Sequence, residues 1–82
     1  MTELIKVLAL PAYQIEVEYA DGICGVVSLS DRLFGPVFEP LRDEQLFSQV
    51  YLDEFGAIAW PNGADIAPDA LYRKLTNLQK AG

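Results

Sequence analysis

The stretch that decides the fold is YQIEVEYADGICGVVSL, residues 13–29. Its first seven residues alternate without a break. Tyr13, Ile15, Val17 and Tyr19 fall on one face, and Gln14, Glu16 and Glu18 fall on the other. A period of two is the mark of a strand with one dry and one wet face. Ala20-Asp21-Gly22 follows, and Asp-Gly between apolar runs is a strong hairpin signal. The chain then returns as ICGVVSL, residues 23–29. Upstream lies a more apolar strand candidate, LIKVLAL at 4–10, set off by Pro11-Ala12. Three consecutive strands with short connections predict an antiparallel meander.

Downstream the pattern changes. Residues 30–43, SDRLFGPVFEPLRD, hold Ser30 as a cap for one helical turn through Leu33 and Phe34, with Gly35-Pro36 as its stop and Pro40 against renewed regularity. Leu33, Phe34, Val37, Phe38 and Leu41 make this an irregular crossover that covers an edge or face of the sheet. Asp43 to Phe47 can form a second short helical turn. Residues 49–53 and 57–60 are strands joined by the turn Glu54-Phe55-Gly56, which makes a second hairpin. PDALYRKLTNLQK, residues 68–80, reads as a helix: Pro68 suits the first helical position, and Leu71, Leu75 and Leu78 recur on one stripe. The expected fold is α+β, a small and mainly antiparallel sheet of about five strands with an irregular crossover and a C-terminal helix packed on it.

The 82 residues are expected to form one domain, 1–82, with a motif region at 4–72 and a basic helix end at 73–82. A hydrophobic fraction of 51% supports a packed core. No apolar run approaches the ~20 residues that span a membrane, and no signal peptide is expected, since no basic stretch precedes the first apolar run. Cys24, the single cysteine, cannot form an internal disulfide. It falls in an apolar strand, where it is expected to be buried and inert, and a reducing cytoplasm follows as the expected compartment. The net charge is −6. All twelve acids and only three bases lie in residues 1–72, whereas the last ten residues carry three bases and no acid. That basic end suits a helix C-terminus. Direct nucleic-acid binding is not expected, and the acidic surface suits partners with basic patches.

AWPNGADIAPDALY, residues 59–72, looks dense enough to be a site. Each unusual residue has a structural use. Trp60 anchors the core at a strand end, Pro61-Asn62-Gly63 makes a turn, and Asp65 and Asp69 flank Pro68 at a helix start. As a metal site, Asn62, Asp65 and Asp69 would supply oxygens, but Ala64, Ile66 and Ala67 stand where a calcium loop needs further ligands. No metal and no cofactor is expected. Catalysis is not expected either: there is no histidine, Ser28, Ser30 and Ser48 have no local base, and Gly22-x-x-Gly25 lacks the Lys-Ser/Thr of a phosphate loop.

The residues carry a resemblance. EVEYADGICGVVSL and GPVFEPLRDEQLFSQVYLDEFGAIAWPNGADIAPDALY resemble a bacterial family catalogued as domain of unknown function 2442. An aromatic before Asp-Gly, then F-x-P-L-x-D, then W-x-N-G-x-D-x-x-P-D-x-L-Y is the pattern. Tyr19, Asp21, Gly22, Phe38, Pro40, Leu41, Asp43, Trp60, Asn62, Gly63, Asp65, Pro68, Asp69, Leu71 and Tyr72 stand at those places. Ser28 departs from it, where the family often has Asp. The resemblance implies an α+β fold with no established activity. Short members are often encoded beside another small protein, in an arrangement that looks like a toxin–antitoxin pair. Some longer relatives resemble fusions to a helix-turn-helix DNA-binding domain, and no such appended domain is expected here.

Two functions remain in view: a protein-interaction or regulatory module, and a small-ligand-binding or sensory domain. Phe34, Val37, Phe38 and Phe55 exceed what a small core needs, which makes Phe34, Val37 and Phe38 the candidate interaction surface; alternatively they complete the core. The expected partner is a small protein, a second copy of the chain, or both. Strand 4–10 and the aromatics Phe34 and Phe38 are the candidate surfaces for self-association, and no membrane association is expected.

Overall fold

The structure is a computed structural model that describes residues 3–81, with side chains through residue 77. The alternation at 13–19 does form the central strand. Strands β1 (Leu4–Leu10), β2 (Gln14–Tyr19) and β3 (Cys24–Ser28) make an antiparallel sheet in the order β1-β2-β3. Val7 pairs with Val17 and Ala9 with Ile15, so these side chains point inward, and Ile15, Val17 and Tyr19 are buried. Lys6 and Leu8 face outward opposite Glu18 and Glu16, and Lys6 Nζ reaches diagonally to Glu16 Oε2 at 3.2 Å. A bulge between Leu4 and Lys6 shifts the register and leaves Ile5 exposed.

The expectation of one sheet of five strands is not met. Strands β4 (Tyr51–Leu52), β5 (Ile58–Ala59) and β6 (Asp65–Ile66) form a second three-stranded antiparallel sheet, with β4 lying against β1. Its strands are short because two three-residue hairpin loops follow each other closely and leave only residues 57–60 between them, of which Ile58 and Ala59 pair on both sides. The sixth strand was hidden in a stretch expected to run from a turn into a helix. The loop at 61–63 folds the chain back on itself, so Ile66 pairs with Ile58 and Asp65 with Ala59. Asp65 is therefore a strand residue and does not serve the helix start.

The crossover has more order than its prolines suggest. Ser30–Arg32 and Glu39–Arg42 each form a 3₁₀ turn. Ser30 lies inside the first and caps nothing; its Oγ sits 3.1 Å from Ser28 Oγ. Pro40 sits near the start of the second, where a missing N–H costs no internal bond. Side chains hold the segment where no ladder does. Arg42 Nε donates to the Leu33 carbonyl at 2.8 Å, Asn62 Nδ2 to the Val37 carbonyl at 2.9 Å, and the Tyr13 hydroxyl to the Arg42 carbonyl. Helix α1 (Glu44–Phe47) follows, with Asp43 Oδ1 accepting from Gln45 N–H as its cap.

Helix α2 (Pro68–Ala81) begins at Pro68 and buries Leu71 and Leu75. Leu78 and Lys80 lie outside the residues whose side chains are described. The helix lies close on β3: a Cβ added at Gly25 would stand 2.7 Å from Leu75 Cδ2. One continuous core joins both sheets, the crossover and both helices, from Ile15 and Leu29 through Leu33, Leu41 and Trp60 to Leu71. Cys24 departs from expectation. It faces outward from β3 opposite Glu18 and is exposed, because a strand of this meander has one wet face.

Candidate functional site

The motif residues are the densest signal in the chain. Trp60 is 1% exposed, and its Nε1 donates to the Phe47 carbonyl at 3.0 Å. The Phe47 ring packs against it at 5.9 Å between centroids and meets Tyr13 edge-on at 5.5 Å. Asn62 Oδ1 accepts from Ala64 N–H at 3.2 Å while its Nδ2 holds the crossover. Asp21 Oδ1 accepts from Ile23 N–H at 3.0 Å, and its Oδ2 accepts from the Tyr72 hydroxyl at 2.5 Å. The Tyr19 hydroxyl donates to the Pro68 carbonyl at 2.6 Å, and its ring meets Tyr72 at 4.9 Å between centroids. These bonds tie the start of α2 to the β2–β3 turn.

This tyrosine–aspartate cluster is electrostatically distinct. Burial, with the nearby Asp69 and Asp21 carboxylates, pushes the Tyr19 hydroxyl up to about 12. The hydrogen bond from Tyr72, with the Ile23 N–H, holds Asp21 below the ordinary carboxylate range, and that same bond raises Tyr72. A hydroxyl held protonated this way is a donor rather than a nucleophile, so the cluster serves as a clasp.

Two concavities flank these elements. The first, of about 240 Å³, is apolar and lies under the β1–β2 turn, lined by Ala9, Leu10, Pro11, Ala12, Tyr13 and Phe47 with Glu44 and Ser48. Ala12 and Tyr13 there hold φ values of 64° and 58°, a left-handed conformation unusual for side-chain-bearing residues. The second, of about 470 Å³, is wider and acidic. Glu3, Asp53, Glu54 and Asp69 line it beside Leu4, Leu52, Gly56 and Pro68. Phe55 also lines it and is 84% exposed on the β4–β5 turn. Asp53 is fixed, since its Oδ1 accepts from the N–H groups of Phe55 and Ala57 at 2.8 and 2.9 Å. Acidic walls beside a bare aromatic suit a basic or cationic surface.

The candidate surface named from the sequence divides. Phe34 is 69% exposed and Val37 is exposed, while Phe38 is half-buried against the core. Leu33 and Leu41 of the same crossover are fully inside. The acidic groove was not legible, because its residues come from β1, the β4–β5 turn and the start of α2. Its one local clue is Asp53, three residues ahead of a glycine. Among the described residues, no three His, Cys, Asp or Glu side chains come together in a way that could hold a metal ion. No helix among them is long and apolar enough to cross a membrane.

Fold and motif together define a small α+β protein of two three-stranded antiparallel sheets closed by a C-terminal helix. The chain matches, over residues 4–77, the family described as Protein of unknown function (DUF2442), and it belongs to that family. Neither a curated protein nor a solved structure matches it.

Proposed function

We propose that this protein is a protein-interaction or regulatory module that works without catalysis in the cytoplasm, with a small protein as its partner. The observation that carries this reading is Phe55, 84% exposed at the rim of a groove walled by Glu3, Asp53, Glu54 and Asp69. A bare aromatic beside carboxylates is a poor solvent-facing surface and a good docking one for a basic, partly apolar partner. Phe34 and Val37 offer a second apolar area on the crossover. The absence of histidine from the sequence weighs against general acid–base work. The gene arrangement that the family resemblance implies, beside another small protein and like a toxin–antitoxin pair, fits a stoichiometric partner.

A second reading, binding of a small apolar ligand, rests on the 240 Å³ groove under the β1–β2 turn, where Ala12 and Tyr13 keep left-handed backbones. Backbone strain of this kind concentrates at binding sites. Affinity purification from the native host, followed by mass spectrometry, separates the two. The interaction reading expects one stoichiometric small protein that Phe55→Ser releases. A co-purifying metabolite, with no protein and no effect of Phe55→Ser, supports the second reading and overturns the first.

A further inference from the structure

Beyond any heterologous partner, the hydrogen-bond pattern of the first sheet points to a second use of its outer strand. Tyr19 N–H donates to the Ile23 carbonyl and Leu29 N–H to the Tyr13 carbonyl. In an antiparallel ladder the peptide groups of successive residues point to opposite sides. The odd-numbered residues along 23–29 therefore bond β2, and Cys24, Val26 and Ser28 turn their N–H and C=O groups to the free edge. Among the described residues none of these backbone groups has a hydrogen-bond partner, and no strand lies beyond β3. All three residues are exposed, Val26 at 48%.

Edge strands ordinarily carry a charge, a proline, a bulge or a cover that blocks further pairing. The opposite edge is defended: β1 has Lys6, a bulge and β4 beside it. The β3 sequence CGVVS has no charge and no proline. In a chain of net charge −6 this strand adds no charge of its own against a second acidic molecule. A charged foreign strand finds no complement here, whereas the same uncharged strand does.

We propose that β3 is a self-association edge, at which a second copy of this chain adds its own β3 antiparallel about a two-fold axis at Val26. In that register Val26 faces Val26 of the second copy, and Cys24 faces Ser28. Each pair exchanges both N–H···O bonds, so every outward peptide group of 24, 26 and 28 is satisfied. On the outer face the row Leu8–Glu16–Val26 continues through the axis. The two Glu16 side chains stand three strand spacings apart, about 14 Å, beyond the ~8 Å screening length at physiological salt. The two sheets become one, with a closed two-fold assembly as the product. This inference is independent of the acidic groove, which lies at the other side of the first sheet, beside β1.

Sedimentation at tens of micromolar is expected to give twice the 9.1 kDa of the chain. Val26→Lys places two like charges on the axis at a position the monomer leaves exposed. It is expected to give a folded monomer whose melting temperature, unlike that of the wild type, does not rise with protein concentration. Register is read by oxidation. In a Cys24→Ser background, Val26→Cys sets two thiols at a Cα separation of about 5.5 Å, within disulfide reach, and cross-linking is expected. Wild-type Cys24 lies about four residues, roughly 14 Å, from its symmetry mate and is expected to stay reduced. A monomer at that concentration, a dimer that survives Val26→Lys, or a disulfide through Cys24 with none through Val26→Cys would each overturn the proposal.

Discussion

At Trp60 one side chain does two jobs. Its ring fills the centre of the core, and its N–H satisfies the Phe47 carbonyl at the end of α1. Trp60→Ala therefore leaves both a void and an orphaned acceptor. A loss of ~3–5 kcal/mol is expected, a large share of the stability of a small domain, and denaturant unfolding measures it directly. Tyr19 offers a different test. Its hydroxyl is raised from 10.0 to about 12 by burial and neighbouring carboxylates. A group whose folded pKa lies above its unfolded value adds stability that is complete below the unfolded value and vanishes as pH rises through the folded one. Melting temperature is thus expected to hold up to about pH 10 and then fall between about 10 and 12, with Tyr72 titrating in the same direction. Asp21 has the opposite sign. Its contribution is present at neutral pH and is lost as pH falls through its lowered folded value. A flat alkaline limb in a thermal-melt series would contradict the clasp.

At the scale of elements the three downstream hairpins share one construction. In Ala20-Asp21-Gly22, Glu54-Phe55-Gly56 and Pro61-Asn62-Gly63 the residue before the loop donates its N–H to the carbonyl of the residue after it and accepts from the N–H of the loop glycine, which has φ between 79° and 95°. A three-residue loop with its last residue left-handed is a favoured hairpin geometry. Gly63→Ala is expected to cost ~1 kcal/mol or more, since alanine must take that φ. The β1–β2 loop inverts the test. Ala12 already holds φ at 64°. Ala12→Gly should leave stability unchanged or raised, against the ~0.5–1 kcal/mol that glycine costs in regular structure. Paired melts of the two variants check both signs. The meander and α2 were legible because their signals are local: alternation, Asp-Gly, Pro68 and the Leu71–Leu75 spacing. Strand β6 was not, because Asp65 and Ile66 have no pattern of their own and become a strand only through pairing with Ala59 and Ile58.

Over the whole molecule, the decisive contact is the seat of α2 on the first sheet. Gly25 makes room for Leu75, and a Cβ there would stand 2.7 Å from Leu75 Cδ2. Gly25→Ala is expected to cost no more than ~1 kcal/mol, since the only side chain in its way is the end of Leu75, which must turn aside. Adding Leu75→Ala should make the double variant less destabilised than the two losses predict together, as residues in contact are non-additive. A double-mutant cycle by urea unfolding reads that coupling, and strict additivity would mean that helix and sheet do not meet there. What the sequence by itself determined is the local grammar: an α+β fold, the three-stranded meander, the turns and the C-terminal helix, and the uses of Trp60, Asn62 and Pro68. What only the tertiary structure decided is which apolar residues lie inside. Leu33 is buried beside an exposed Phe34, Phe55 stands bare over a groove of acids drawn from three parts of the chain, and Cys24 faces outward. The physical reason is that a backbone reads its neighbours along the chain, through period, turn conformation and capping, whereas burial depends on what arrives from far away in sequence.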